Sequence, residues 1–375
     1  MTWIERALEA TGTASVRRRR LPAEQVVWLV IALALYRHQS MPEVLATLDL
    51  SLPAASGRTV SKSAITQARQ RLGAEPLGWL FAETGRAWSR QDAERYAWKG
   101  LSLWAMDGTI FRTPDSPENR AHFGAQRYSS GKIASYPQVR AVSLTAIPTH
   151  LVADLAFGAY GTNEMLYAKQ LIPRIPDHSL TVFDKGFLSA EILLGLSLAG
   201  QDRHYLIPAK SNLKWERLSG SEEDGLVRMR VSPQARAKAP GLPEYWSARA
   251  IRVVSANGKV RTLLTSLTDA RRFSAQELAE CYRRRWEVET GYRELKQSLL
   301  GHVPILRSQQ PQGVEQEIWG NLIGYNLVRL EMAKAALEAR VEPTDMSFVR
   351  ALHILQHEMI WAVGMPPGKL PAHLI

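Results

Sequence analysis

Apolar residues change their spacing twice along this chain of 375 residues, and these changes set the architecture that it can adopt. Helical spacing with intervening turn signals covers residues 1–95. Short apolar runs typical of strands follow, at 101–109, 136–147, 150–160 and 179–187, with a helix at 165–175. Helical spacing returns after residue 271, over 274–300, 312–338 and 345–363. This order predicts an α/β fold, in which helices cover a central sheet.

The same pattern predicts a division of the chain into three parts. A helical domain covers residues 1–95, a mixed domain covers 96–340, and a helical segment covers 341–375. Inside the mixed domain, strands separated by polar loops predict a β-rich insertion at about 205–270. A chain of this length exceeds what one hydrophobic core usually organises, so more than one domain is expected.

Charge and cysteine content narrow the class of protein. The formal net charge of +11 favours a polyanionic partner such as nucleic acid. The single cysteine, Cys281, excludes an intrachain disulfide and a zinc site of several cysteines, and it fits a reducing intracellular compartment.

Four arginines at 17–20 precede an apolar run at 26–36, an order that resembles a targeting segment. The run is too short to cross a bilayer, so we expect a buried helix and no membrane partner. The arginines are interpreted as a DNA-binding arm, with a solvated charged run as the alternative.

Residues 61–73, SKSAITQARQRLG, predict a short capped helix with one apolar face. Its polar face is expected to point outward, with Gln67, Arg69, Gln70 and Arg71. Such a helix can lie in a DNA groove, and Gln67 and Arg71 are the candidate contacts. A solvated helix face explains the same pattern equally well.

The stretch CYRRRWEVETGYRELKQ at 281–297 crowds arginines, glutamates and aromatics onto one predicted helix. At about 100° per residue, four polar side chains fall in a narrow band: Tyr282, Arg285, Glu289 and Lys296. A second band is suited to burial against the sheet: Cys281, Val288, Tyr292, Leu295 and Leu299. Glu289 is therefore expected at the rim of the core, held by the scaffold and open to a substrate.

Two further carboxylates each follow a short apolar strand and precede glycine: Asp107 before Gly108, and Asp184 two residues before Gly186. Neighbouring strand ends can bring both beside Glu289. Three carboxylates suit Mg²⁺ or Mn²⁺, and two such ions can promote phosphoryl transfer. In the alternative interpretation each aspartate is a turn residue, and Glu289 pairs with Arg285 and Arg293, each four residues away.

The spacing of Tyr282, Arg285, Glu289 and Lys296 resembles the Tyr-Arg-Glu-Lys signature of DDE transposases of the insertion-sequence-four family. The segments DGTIFRTPDSPENRAHFG and LTVFDKGF resemble those around the first and second catalytic aspartates of that family. The resemblance extends over most of the chain, since residues 17–50 and 306–329 are also similar to it.

The resemblance implies a ribonuclease-H-like core interrupted by a β-rich insertion, with an N-terminal helical DNA-binding domain and C-terminal helices. It implies that Asp107, Asp184 and Glu289 bind two Mg²⁺ ions, with Mn²⁺ as a substitute. Contacts to DNA phosphates would come from the remaining candidates: Tyr282, Arg285, Lys296, Arg293 and Lys185. Lys185 stands where the family often has arginine.

The resemblance also implies cut-and-paste transposition, in which a homodimer cleaves terminal inverted repeats and transfers the freed ends into target DNA. A cytoplasmic, nucleoid-associated protein of a bacterium is expected. The sequence given stops at PPGKLPAHLI, where many relatives carry a basic tail, so an inactive copy that only binds DNA is the alternative. A hydrolase with paired carboxylates, such as a glycosidase, is a third interpretation, which the net charge disfavours.

Overall fold

A computed structural model describes residues 2–14, 21–51, 60–91, 93–254, 258, 260–301 and 305–363. The arginine run at 17–20 and the segment PPGKLPAHLI therefore lie outside the described residues. None of the helices in the described ranges combines the length and the apolar character needed to cross a membrane.

Within the described ranges, five helices precede the sheet: α1 (Trp3–Ala10), α2 (Ala23–Leu35), α3 (Met41–Thr47), α4 (Lys62–Leu72) and α5 (Glu75–Arg90). Capping boxes begin α1 at Thr2 and α3 at Ser40, and the Ser61 hydroxyl caps α4. The short helix predicted at 61–73 is therefore confirmed. The prediction of a buried helix over the apolar run at 26–36 is also confirmed, because most of α2 is buried.

The strands form one continuous sheet in the order β3-β2-β1-β4-β5-β9-β8-β7-β6. Their bounds are β1 (Ser102–Arg112), β2 (Gln138–Ala146), β3 (Val152–Ala159), β4 (Ser179–Phe183), β5 (Arg203–Pro208), β6 (Glu216–Gly220), β7 (Asp224–Arg230), β8 (Tyr245–Val254) and β9 (Val260–Thr265). β1, β4 and β5 are parallel neighbours, and the other pairs are antiparallel. The segment predicted as a β-rich insertion thus adds strands to the edge of the same sheet.

Further helices lie between and after the strands: α6 (Pro117–Phe123), α7 (Glu164–Leu171), α8 (Ala190–Leu198), α9 (Pro233–Lys238), α10 (Ala275–Arg283), α11 (Trp286–Arg293), α12 (Pro311–Ala339) and α13 (Phe348–Val363). α12 shares a hydrophobic core with the N-terminal helices, through residues such as Ile318 and Leu322 beside Val27 and Leu77. The domain boundary at residue 95 stays a prediction.

Alternate side chains of β1 enter different layers, because successive residues of a strand point to opposite faces. Trp104 and Met106 pack in the core that α7 and α8 cover. Leu103 and Ala105 pack in the core that contains Leu278 of α10 and Val288 of α11. The next odd-numbered residue, Asp107, therefore points to the side of the sheet where α11 lies.

The single helix predicted over 274–300 is wrong. Residues 284–285 form a turn between α10 and α11, and Glu294–Leu299 form a π-helical segment after α11. At the turn the backbone makes three-residue hydrogen bonds, from Arg285 N to Tyr282 O and from Val288 N to Arg285 O, both 3.1 Å. The apolar residues keep helical spacing through this break, so the sequence pattern does not predict it. The Arg285 side chain reaches Asp107 of the sheet.

Candidate active site

Two candidate aspartates lie where the pairing of β1 with β4 ends. Their parallel pairing runs up to Met106 opposite Phe183, so Asp107 and Asp184 come directly after the last paired residues. The expectation that Asp107 ends its strand is wrong, because β1 continues beside β2 to Arg112, whereas β4 ends before Asp184. Asp107 remains paired with Ser143 of β2, which fixes its backbone inside the sheet.

Asp184 caps a short 3₁₀ turn over Lys185–Phe187 and accepts a hydrogen bond from the Gly186 amide at 3.0 Å. Its negative charge raises the pKa of both Asp107 and Tyr282, after burial as the main cause. Asp184 is thus close enough to Asp107 and Tyr282 for its charge to act on both, although it is not among the residues that line the cleft described below.

Arg285 joins Asp107 to Glu289. Its Nη1 lies 3.4 Å from Asp107 Oδ2, and its Nη2 donates to Glu289 Oε1 at 2.8 Å. Arg285 is only 9% exposed, so the guanidinium is largely shielded from water between the two carboxylates. Glu289 therefore faces the β1 aspartate across one buried positive charge.

The electrostatics at Asp107 follow from this crowding. Burial raises the pKa of Asp107 to about 6, and the nearby charges of Asp184 and Glu289 push it in the same direction. The Gly108 amide and the Arg285 guanidinium oppose the rise in that pKa. Asp107 therefore binds a proton more readily than an ordinary aspartate does.

Tyr292 holds α11 against the sheet. Its hydroxyl donates to the Asp107 carbonyl oxygen at 2.8 Å and lies 2.7 Å from the Ser143 hydroxyl. Burial raises the pKa of Tyr292 well above its usual value. Tyr292 is thus a packed anchor of the predicted apolar band. The rest of that band is confirmed as buried: Cys281, Val288, Leu295 and Leu299.

Lys296 reaches the same cleft from the π-helical segment. The cleft is lined by Asp107, Glu164, Glu289, Tyr292 and Lys296, with the backbone of 108–110 as its floor. The Lys296 ammonium lies 5.8 Å from the centre of the Tyr292 ring. Burial, followed by the positive charge of Arg112, lowers the pKa of Lys296 to about 8. The cleft therefore combines carboxylates with a lysine whose charge is easily lost.

Glu164 was missed by the sequence reasoning. A side-chain carbon on Gly108 would lie 3.0 Å from the Glu164 carboxylate, so the missing side chain at 108 leaves room for it. Glu164 is the first residue of α7, after the Asn163 cap that follows β3. The only signal in the sequence is a glutamate behind a capping asparagine, a pattern common at helix starts.

The other predicted contacts lie at different places. Tyr282 is half-buried near Asp184 and Arg285, whereas Lys185 and Arg293 are exposed. Gln67 and Arg71 are exposed on α4, away from the residues that line the cleft. The sequence-based expectation that Arg69 points outward is wrong: its Nε donates to Gln316 of α12 at 2.7 Å.

A buried ionic network supports α11 and the π-helical segment from behind. His150 lies 2.9 Å from Glu287 and 3.5 Å from Glu294. Glu294 also accepts from the Tyr325 hydroxyl at 2.9 Å and lies 3.4 Å from Arg329. These contacts tie the turn between β2 and β3 and helix α12 to the element that carries Glu289.

The donor set of the cleft fits a hard divalent cation, because carboxylate oxygens are the ligands that Mg²⁺ prefers. In the described ranges, no group of three or more acidic, histidine or cysteine side chains is arranged as a metal site. The Arg285 guanidinium instead lies between two of the carboxylates, where positive charge is needed. The carboxylates of the cleft thus fit a divalent ion by their chemistry. The Arg285 guanidinium supplies positive charge between Asp107 and Glu289.

The family models and proteins to which this chain is similar, as described below, are transposases. Residues 1–82 match the family described as insertion element 4 transposase N-terminal, and residues 98–327 match the transposase DDE domain. The chain is 40% identical over 370 residues to the transposase InsG for insertion sequence element IS4 of Escherichia coli (strain K12). That alignment covers 98% of this chain and 83% of the relative.

Two further similarities are more limited. The putative transposase InsZ of Escherichia coli (strain K12) is 39% identical over 235 residues, which cover 61% of this chain and 76% of that protein. A cryo-EM structure of the piggyBac transposase synaptic complex with hairpin DNA has a TM-score of 0.45 and 12% identity, covering 99% of this chain and 80% of that chain.

Proposed function

Because the chain belongs to the IS4 family of transposases and is a DNA-cleaving DDE transposase, we propose that it performs cut-and-paste transposition. In this proposal it cleaves the ends of its own element and joins the freed 3′-hydroxyls to target DNA. Asp107, Asp184 and Glu289 form the catalytic set on a ribonuclease-H-like core. Tyr282, Arg285, Glu289 and Lys296 act as the Tyr-Arg-Glu-Lys signature.

One observation carries the proposal. Asp107 and Asp184 directly follow the last paired residues of two adjacent parallel strands, and Glu289 reaches Asp107 through a single arginine. Asp107 and Glu289, which are distant in the sequence, both line the cleft, and Asp184 is close enough to raise the pKa of Asp107. The Glu164 carboxylate occupies the space above Gly108, so a further acidic side chain lies at the same cleft.

The carboxylates would hold two Mg²⁺ ions, or Mn²⁺ in their place, which supply an activated hydroxyl and neutralise charge on the leaving oxygen. Arg285 keeps Asp107 and Glu289 aligned, and its guanidinium can pair with a phosphate in a bidentate manner. Lys296, which lines the cleft, adds a point charge. Lys185 and Arg293 are exposed and are the further proposed contacts to DNA phosphates.

The partners proposed are terminal inverted repeats and target DNA, bound by a homodimer that brings two ends together. The exposed polar face of α4, with Gln67 and Arg71, is the proposed groove-binding element of the N-terminal helices. A bacterial cytoplasm, in association with the nucleoid, is the proposed location. The positive charge of the chain supports a polyanionic partner.

The test is cleavage of DNA that carries the flanking sequences of the gene, in Mg²⁺ or Mn²⁺. Wild type is expected to nick the element ends, and Glu289→Gln is expected to bind the ends without cutting them. Glu280→Gln is the matched control, because Glu280 lies on α10 in an exposed pair with Arg283 and outside the cleft. Chelation of the metal with EDTA is expected to abolish cleavage by wild type.

Two outcomes would contradict the proposal in different ways. Cleavage by Glu289→Gln at the wild-type rate would remove Glu289 from the catalytic set. Binding of the ends by wild type without any cleavage would favour the alternative, a copy that acts only as a DNA-binding protein. The mass of the DNA complex by light scattering tests whether two protomers bind two ends.

A further inference from the structure

A small hairpin projects from the sheet beside the cleft, between α6 and β2. Residues 125–136 form it, and we call it the 125–136 hairpin. Its two arms are joined by the bridge of Arg127 to Ile133 and by hydrogen bonds from Tyr128 N to Lys132 O and from Ala134 N to Gln126 O, both 2.8 Å. Gly131, with φ of 79°, closes its turn. The segment is therefore an ordered element with a defined surface.

That surface is unusually apolar for an exposed hairpin. Tyr128 and Ile133 are each 49% exposed, and Tyr136 is 39% exposed. Large apolar side chains are more stable when buried than in contact with water, and exposed apolar residues that are grouped together mark contact sites. Tyrosines in particular offer flat faces on which nucleic-acid bases stack.

The charged residues of the 125–136 hairpin are all positive. Residues 119–153 contain neither aspartate nor glutamate, whereas Arg127 and Lys132 lie on the hairpin itself. Both are exposed, and neither forms a salt bridge with an acidic side chain among the residues that the structure describes. A basic surface with interleaved aromatics is suited to a nucleic acid.

The 125–136 hairpin contacts the end of β1 that follows the cleft residues in the sequence. The Lys296 ammonium lies over the Phe111 ring at 5.9 Å, and the next residue of β1, Arg112, lies over the Tyr136 ring at 5.9 Å. Five residues of strand separate Asp107 from Arg112, which is roughly 17 Å at about 3.4 Å per residue. DNA that leaves the cleft along β1 would meet the hairpin about five base steps from the reacting phosphate.

From these observations we infer that the 125–136 hairpin is a DNA contact beside the active site, in which Arg127 and Lys132 bind backbone phosphates and Tyr136 stacks on an unpaired base. This inference rests on the proposed function, since it needs DNA in the cleft. Arg112 holds the Tyr136 ring from one side. Tyr136 is thus a positioning residue for the DNA rather than a participant in the chemistry.

The experiment measures binding of end DNA by fluorescence anisotropy at several salt concentrations, with 2-aminopurine placed at successive positions of the end. Tyr136→Ala is expected to weaken binding roughly 5- to 150-fold, the range for loss of one stacked base. It should also abolish the 2-aminopurine quenching at one position near the fifth, and Tyr136→Phe should restore both. Arg127→Ala and Lys132→Ala should each lower the salt slope by about 1.

Tyr245→Ala is the matched control, since Tyr245 is a 45% exposed tyrosine on β8 that also lies beside an arginine, Arg228. Wild-type affinity and quenching in Tyr136→Ala, with unchanged salt slopes in the arginine and lysine variants, would overturn the inference alone. Failure of wild type to bind the ends would overturn it together with the proposed function. Equal melting temperatures of Tyr136→Ala and wild type verify that the fold is intact.

Discussion

Replacement of Arg329 by methionine tests whether the network behind α11 is essential to the fold. Arg329 is fully buried, donates from Nε to the Thr149 carbonyl oxygen at 2.8 Å, and lies 3.4 Å from Glu294. Removal of one partner from a buried ion pair typically costs about 3–5 kcal/mol, because the other charge stays buried. Glu294 keeps Tyr325 and His150 as partners, so we expect the lower end, about 3 kcal/mol of unfolding free energy.

Urea unfolding of wild type, Arg329→Met, Glu294→Gln and the double variant measures this cost. The double variant is expected to be less destabilised than the sum of the single variants by about 1–3 kcal/mol, because the unpaired carboxylate is then gone. Lys334→Met is the matched control on the same helix. Its pair with Glu331 is about one third exposed on each side chain, and exposed pairs contribute about 0–1 kcal/mol.

A loss below about 1 kcal/mol in Arg329→Met would refute the reasoning, since that is the range of an exposed pair. Strict additivity in the double variant would refute it as well. In either case the buried charges would contribute no more than their packing, and the position of Glu289 would depend on Tyr292 and the apolar band instead.

Two more outcomes follow from groups described above. Affinity for DNA should fall above about pH 8 in wild type, by at most about tenfold per pH unit, until it reaches that of Lys296→Met, whose affinity should not change there. The reason is that the lysine with a pKa of about 8 must be protonated to pair with a phosphate, and equal pH profiles in anisotropy titrations would contradict this. Gly85→Ala should destabilise the fold by about 1–3 kcal/mol in urea unfolding, because its new carbon would lie 2.8 Å from the Ala153 carbonyl oxygen. Gly195→Ala, in a helix with open space around it, should be neutral or stabilising by up to about 1 kcal/mol; a similar loss in both variants would disprove the steric argument.

Much of the strand framework could be predicted from the sequence, because each core strand is a short apolar run with a clear end. The runs before Asp107 and Asp184 correspond to strands that pair directly, which makes the two aspartates neighbours, although β1 itself continues to Arg112. The buried face of the 281–299 stretch was equally readable, since apolar residues recur there at helical spacing.

What could not be predicted depends on contacts distant in the sequence. The turn at 284–285 places Arg285 beside Asp107, which is 178 residues away in the sequence. The spacing of apolar residues around the turn does not report so distant a contact. β6 is exposed at every position, so it lacks the alternation that identifies a strand. Glu164 was missed because its importance comes from the space above Gly108, which is a property of the fold alone.

The pairing of β5 with β9 makes the segment between them an extension of one edge of the sheet. Residues 206–208 lie opposite 263–265, so the chain runs out into β6, β7 and β8 and returns on the strand next to β5. The cost of closing such a loop rises only slowly with its length, about 0.6 kcal/mol per doubling. The outer loops of this extension can therefore change in length while Asp184 and Glu289 keep their separation, whereas β7 and β8 supply core residues such as Met229 and Ile251. The exposed turn at 221–223 is accordingly the place for a protein engineer to graft a foreign peptide.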